Sequence, residues 1–230
     1  MTVKTTSGET FRGKDVLVTA SIGVLQSDVL GFEPELPKWK VEAINDLTMT
    51  SFVKVFVLWE TRWWDNLEDG EKRHFYTFLC DEGIHKGEWR AYLEVLPLGK
   101  EPCDDDSRSR MLLFAACGEE GIRVQNLSDA EVLEEIHNKL QRAYTNMDVP
   151  RPIDVYVPRW DLNPLFKGAF SFETVNKYES QSCLRSPVKR ENHGTIWFAG
   201  EAMHDLYGGY LQAAYLSGQE QATEIINERL

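Results

Sequence analysis

The sequence predicts a mixed α+β and α/β chain in which largely antiparallel sheet is flanked by helices, and three observations predict it. Segments 52–59 and 111–117 are apolar runs of strand length, and the stretch between them is broken by polar loops, as in antiparallel sheet. Ser128 offers an N-cap with Glu131 three residues on, and Val132, Leu133, Ile136, Leu140 and Tyr144 follow at helical spacing. Finally, TIWFAGEAMHDLYGGYLQAAYLSG, from Thr195 to Gly218, reads strand, glycine, acid, loop and helix, a sequence of parts suited to a ligand site.

In chain order, Met1 to Thr6 alternates apolar and polar residues, Ser7-Gly8 makes a turn, and Thr10 to Thr19 resumes with Val16-Leu17-Val18. This predicts a hairpin or strand pair feeding a buried strand. Lys38 to Leu47 has helical spacing, with Trp39, Ala43, Ile44 and Leu47 inward and Lys40, Glu42 and Asp46 solvated. Phe52 to Trp59 is a strand so apolar that its single lysine, Lys54, needs a reason. Such a lysine either snorkels to an edge or, buried, finds a partner or loses its proton. Residues 74–80, 89–96 and 111–117 read as consecutive antiparallel strands extending that sheet, with 98–110 and its Asp104-Asp105-Asp106 run as a solvated loop. The helix from Ser128 packs one face on the sheet.

After Pro150-Arg151-Pro152 comes the strand Ile153 to Val157, then Pro158-Arg159-Trp160, Asn163-Pro164 and Gly168-Ala169-Phe170-Ser171. Ser180 to Asn192 reads as a polar loop. Ile196 to Ala199 is a buried strand, Gly200 lets the chain turn, and Glu201 sits at the strand's end. Gly208 and Gly209 then punctuate a loop before a helix beginning near Tyr210, whose unpaired N–H groups and positive dipole end suit something anionic. A purely structural strand-to-helix connection has the same appearance.

At 230 residues, with 42% hydrophobic and 27% charged residues, the chain can bury a sizeable core in one or two domains. No run approaches the ~20 apolar residues of a membrane helix, and Met1-Thr2-Val3-Lys4 lacks the apolar core of a signal peptide, so the expected place is inside a cell. A formal charge of -12 argues against a nucleic-acid partner; it attracts cationic amines or serves only solubility. Cys80, Cys103, Cys117 and Cys183 are scattered, without zinc-ligand spacing, and the five histidines form no constellation. No metal site is expected. G-x-S-x-G, P-loop and H-E-x-x-H motifs are absent from the sequence.

The 195–218 stretch resembles the C-terminal flavin-binding signature of the flavin-dependent amine oxidases, and is most similar to that of the polyamine oxidases. It carries Phe198-Ala199-Gly200-Glu201, then Gly209-Tyr210, then Ala214-Tyr215-Leu216-Ser217-Gly218 at the family's spacing, with Gln212-Ala213 where the family usually has His-Gly. The block from Ala20 to Ile44, with Phe32, Pro34, Leu36, Pro37 and Trp39, resembles the family's exit from flavin domain to substrate domain. Pro158-Arg159-Trp160 and Phe170 resemble the return.

That resemblance implies a partial FAD-binding domain of glutathione-reductase-like type at 1–33 and 166–230, and a substrate domain at 34–165. It implies that Lys54 reaches the flavin N5 through a water, that Phe170 and Tyr210 sandwich the substrate amine, and that Trp160, Gly200, Glu201, Gly209, Tyr210 and Leu211 line the cofactor. The implied reaction is hydride transfer from a polyamine or related amine to FAD. Imine hydrolysis to an aldehyde and reoxidation by O2 to hydrogen peroxide would follow. A family chain opens with G-x-G-x-x-G and an acid ~20 residues on, and these are not in this sequence. The expected partner is therefore an upstream N-terminal half carrying the pyrophosphate and adenine sites. Alternatives are a monoamine-oxidase-like or histone-demethylase-like enzyme, or a non-catalytic remnant that associates through the surface its missing half would cover. The terminal Glu228-Arg229-Leu230 only distantly resembles a peroxisomal address, so the compartment is cytoplasmic or peroxisomal.

Overall fold

The computed structural model describes residues 1–67, 94–97 as backbone, 110–173, 180–191 and 193–230. In chain order the elements are β1 (Thr2–Lys4), β2 (Thr10–Arg12), β3 (Asp15–Val18), α1 (Ile22–Leu25), α2 (Lys38–Asp46), β4 (Leu47–Thr50), β5 (Phe52–Leu58), β6 (Glu94–Pro97), β7 (Met111–Cys117), α3 (Gly118–Asn126), α4 (Asp129–Ala143), β8 (Asp154–Tyr156), β9 (Phe170–Glu173), α5 (Ser180–Arg185), β10 (Val188–Arg190), β11 (Gly194–Phe198) and α6 (Leu211–Asn227). They form two compact units, Met1–Thr50 with Asn163–Leu230, and Ser51–Leu162. No described helix is long and apolar enough to cross a membrane.

The second unit is a sheet of order β6-β7-β5-β8, antiparallel throughout, covered by helix. Period-two alternation sends Val53, Val55 and Val57 of β5 into the core, where they are fully buried and cluster with Phe114, Val132, Ile136 and Leu140. α4 takes its place through the expected capping box: Ser128 accepts from the Glu131 N–H, and the Glu131 carboxylate accepts from the Ser128 N–H. Trp59, Trp63 and Trp64 meet edge to face at 5.7–6.2 Å between ring centroids, and Trp59 Nε1 donates to the Pro150 carbonyl at 2.9 Å. The strands expected at 111–117 and 153–157 are β7 and β8. Of the strand expected at 89–96, β6 covers the end. Residues 74–80 and 89–93, and the 98–109 loop, lie outside the described residues. The helix α3 was not expected; Gly118 opens it at a φ of +59° directly after β7.

The first unit is assembled from both ends of the chain. β1 and β2 form the expected hairpin, and β3 pairs in parallel with β11, Thr195 standing opposite Asp15 and Phe198 opposite Val18. β10 completes that sheet and β4 pairs separately with β9. Ile22, Ala43, Ile44, Leu47, Leu184, Ile196 and Phe198 share one apolar core. Since α2 and β4 pack here, the expected boundaries at 33/34 and 165/166 both fall within this unit.

Two expectations are corrected in this unit. Ser180 to Asn192 is not a loop: it holds α5 and β10. The same element overturns the expected face of α2, where Lys40 is fully buried and Trp39 is 43% exposed. Lys40 Nζ donates to the carbonyls of Cys183, Leu184 and Ser186 at 2.9, 2.6 and 2.5 Å, and lies 4.1 Å from the Phe198 ring centroid. An ammonium has three donors, and the carbonyls ending α5 are the orphan acceptors that they meet. Burial pulls the Lys40 pKa down from the ordinary 10.5 to about 7.

Candidate functional site

In the first unit, β11 delivers the chain to Gly200, and α6 fixes it there. The Gly200 N–H donates to Ser217 Oγ at 3.0 Å, and the Ser217 hydroxyl, fully buried, donates to the Gly200 carbonyl at 2.8 Å. α6 buries Ala213, Ser217 and Gln221, spaced four apart along one face, so Ser217 faces the strand end that it holds. The helix and strand expected from 195–218 are both present.

Glu201 follows, in a short 3-10 turn spanning Glu201–Met203. Its carboxylate accepts from the Ser171 N–H at 3.1 Å, the Ser171 hydroxyl at 2.8 Å and the Gly209 N–H at 2.7 Å. Bonds to an ionised acceptor are among the stronger ones in proteins, so these three fix the separation of β9 from the glycine loop. Gly209 has a φ of +83°, and a Cβ there would stand 3.1 Å from the Ser171 carbonyl oxygen and 3.3 Å from Phe170 Cδ2. Both the backbone conformation and the close approach of Phe170 require glycine at this position.

Tyr210 is the N-cap residue of α6, 64% exposed, with no side-chain cap hydrogen bond, and Leu211 is 88% exposed. The Leu211 N–H, first in the helix, has no intrahelical acceptor by position and meets none among the described residues. The result is an open helix N-terminus beside two aromatic rings, set by the half-buried Glu201 carboxylate, which itself faces protein donors. Such a place suits partial negative charge at the helix end and a flat or cationic group between the rings.

Lys54 and Trp160 lie in the second unit. Lys54 is exposed, the outward one of the two placements open to a lysine on so apolar a strand: it stands on the face of β5 opposite Val53, Val55 and Val57, in register with Ala115, and its Nζ is 6.0 Å from the Phe52 ring centroid. Alternation explains this, since an even-numbered position on β5 turns away from the core. Trp160 is 38% exposed, on a turn held at both flanks. Arg159 donates to the carbonyls of Gln125 and Leu127 at 3.1 and 2.9 Å and to Asp129 at 2.7 Å, while the Asp161 N–H donates to Gln125 Oε1 at 3.0 Å.

Of the candidate residues, Phe170, Gly200, Glu201, Gly209, Tyr210 and Leu211 come together in one unit, and Lys54 and Trp160 belong to the other. The sequence-based list missed Ser171 and Ser217. Ser217 sits inside the Ala214-to-Gly218 motif, where its signal was available; Ser171 had no signal, because its partner is thirty residues away.

Residues 1–226 match the sequence profile of the family described as flavin containing amine oxidoreductase. Polyamine oxidase 1 of Zea mays is 34% identical over 229 residues, spanning 99% of this chain and 42% of that protein. Lysine-specific histone demethylase 2 of Homo sapiens is 27% identical across 97% of this chain and 26% of its own length. Among solved structures, a double mutant of a putrescine oxidase superposes with a TM-score of 0.72 at 18% identity, covering 98% of this chain and 45% of that one, and a cyclohexylamine oxidase from Brevibacterium oxydans does so at 0.65 and 17%, covering 96% and 44%. These similarities establish the fold, and this chain spans about two fifths of the polyamine oxidase that it matches. By its sequence profile and its fold, the chain belongs to the flavin containing amine oxidoreductase family.

Proposed function

We propose that this chain forms the wall facing the flavin ring and substrate in an FAD-dependent oxidase of polyamines or related amines, with an N-terminal portion supplying the rest of the dinucleotide site. The observation that carries this is the open N-terminus of α6 held beside Phe170 and Tyr210 by Glu201. The residues fit the cofactor. Gly209 leaves the wall without a side chain, and the Leu211 N–H is a donor without a partner among the described residues, suited to a carbonyl oxygen that gains negative charge.

Bound FAD would supply the acceptor for a hydride from the amine and hand the two electrons to O2, which becomes hydrogen peroxide, while water converts the imine to an aldehyde and a released amine. Phe170 and Tyr210 orient the amine between π faces and exclude water, which lowers its pKa toward the neutral form that gives up hydride. Lys54, exposed on its own sheet, has an ammonium free to hold a water, and Trp160, pinned between Arg159 and Asp161, offers a fixed indole face. Gly200, Glu201 and Gly209 act as cofactor-side residues in this proposal. Glu201 acts through the backbone it fixes, because its carboxylate is already met by three donors. The division into a flavin-binding part and a substrate-binding part, and a cytoplasmic or peroxisomal place, belong to the same proposal.

The test compares the 230-residue chain with a protein extended upstream through a G-x-G-x-x-G segment. The extended protein is expected to hold flavin and release hydrogen peroxide with a diamine or polyamine; the 230-residue chain is expected to hold none. An extended protein that binds flavin stoichiometrically and oxidises none of a polyamine, a monoamine or an N-methyl-lysine peptide overturns the assignment. In it, Lys54→Met is expected to leave flavin content unchanged and slow flavin reduction or reoxidation.

A further inference from the structure

The first unit contains a cavity of about 480 Å³ lined by Phe170, Phe172, Glu173, Gln181, Asp205 and Tyr210, among others. Gln181 is 6% exposed and its side-chain amide has no hydrogen-bond partner among the described residues. A primary amide has two donors and an acceptor oxygen, and at the wall of this space they are open to a ligand.

Gly208 supplies a second, independent sign. Its φ is not in the left-handed region, so the backbone does not call for glycine, yet a Cβ at this position would stand 2.8 Å from Gln181 Nε2. The missing side chain leaves the amide its place at the cavity wall. The charges around the space are negative. Glu173 has no ion-pair partner among the described residues. Among the described residues Asp205 pairs only with Arg185, at 3.6 Å, and that guanidinium makes its closer bond to Glu220 at 2.9 Å. Phe172 and Tyr210, 45% and 64% exposed, add open ring faces.

An amide oxygen, an unpaired carboxylate and aromatic faces together meet one chemistry, an organic ammonium, which has donors for the oxygens and a charge for the rings. Two carboxylates exclude an anion, and a neutral hydrocarbon leaves the amide unmet. We propose that this cavity binds a second ammonium group of a diamine or polyamine, with Gln181 and Glu173 as its recognition residues. This rests on the assignment of Phe170 and Tyr210 to the substrate, because both line the same space.

The test needs no flavin. Calorimetric titration of the 230-residue chain with 1,4-diaminobutane is expected to show binding, and titration with 1,4-butanediol none. Glu173→Gln, Gln181→Leu and Gly208→Ala are each expected to weaken diamine binding by about tenfold, and Glu173→Asp to retain most of it. Should one variant lose the wild-type circular dichroism spectrum, the other two decide. Equal affinity for diamine and diol, no diamine binding at millimolar concentration, or unchanged affinity in the folded variants overturns the proposal. Diamine binding with these mutational losses, in a chain whose extended form oxidises no amine, overturns the oxidase assignment and leaves this subsite standing.

Discussion

The two units are held by different forces. In Ser51–Leu162, valines at alternate positions of β5 meet Val132, Ile136 and Leu140 of α4, and apolar burial does most of the positioning. In the other unit an apolar core is also present, but polar groups that reach across long stretches of sequence aim the functional segments. Lys40 gathers three carbonyls around the end of α5, Gln26 Nε2 donates to the carbonyls of Ile44 and Leu47 at 2.8 Å each, Ser217 closes on Gly200, and Glu201 joins β9 to Gly209. Burial of apolar area is non-directional and determines which elements associate; hydrogen bonds have angles and determine how they are aimed. The candidate site is built where aiming matters.

Three substitutions separate these cases. Phe114→Ala empties a fully enclosed ring from the second unit's core and is expected to cost about 3–5 kcal/mol, read as a lower urea midpoint with the first unit's ordering retained. Equal loss in both units would erase the contrast. Lys40→Met leaves three carbonyls without their donor and is expected to cost about 2–3 kcal/mol in the first unit, measured by hydrogen exchange of the β11 amides. This lysine also carries a pH signature. Its folded pKa, about 7, lies below the ordinary 10.5, so between those values the unfolded chain holds the proton more tightly. Its contribution is therefore least favourable below about 7 and grows as pH rises toward 10.5. Wild type should gain stability over Lys40→Met between pH 6.5 and 9.5; a constant difference counts against the buried cation. Ser217→Ala leaves the Gly200 N–H unmet and should cost about 1–2 kcal/mol, with faster exchange of that amide.

The same contrast explains what could be read in advance. The apolar runs of β5 and β7, helical spacing in α4 and its capping box each express one local rule, and all were legible. So was the 195–218 stretch, whose glycines and strand-loop-helix order sit within one short segment. Lys40 was misread because helical phase assigns a lysine to water by default, and its three acceptors lie on α5, more than a hundred residues on. α5 itself looked like a loop because six residues, SQSCLR, carry no full helical period. For Lys54 the composition of its neighbours left an outward and a buried placement open, and the folded strand turns it outward. Ser171 and Gln181 take their meaning from partners, or from the lack of them, that only the folded chain brings near.

The parallel pairing of β3 with β11 sets an order of events during synthesis. β3 is made before all of Ser51–Leu162 and β11 only after it, so β3 waits for its neighbour on the order of ten seconds or more at ordinary elongation rates. Ser51–Leu162 is continuous in sequence and can condense during that interval. The segment carrying Leu17 meanwhile has a bare strand edge, and pairing at such sequence separation is slow. A chain released before residue 195 would hold a finished second unit and an unfinished first one, making the nascent polypeptide a client for chaperones at the β3 edge.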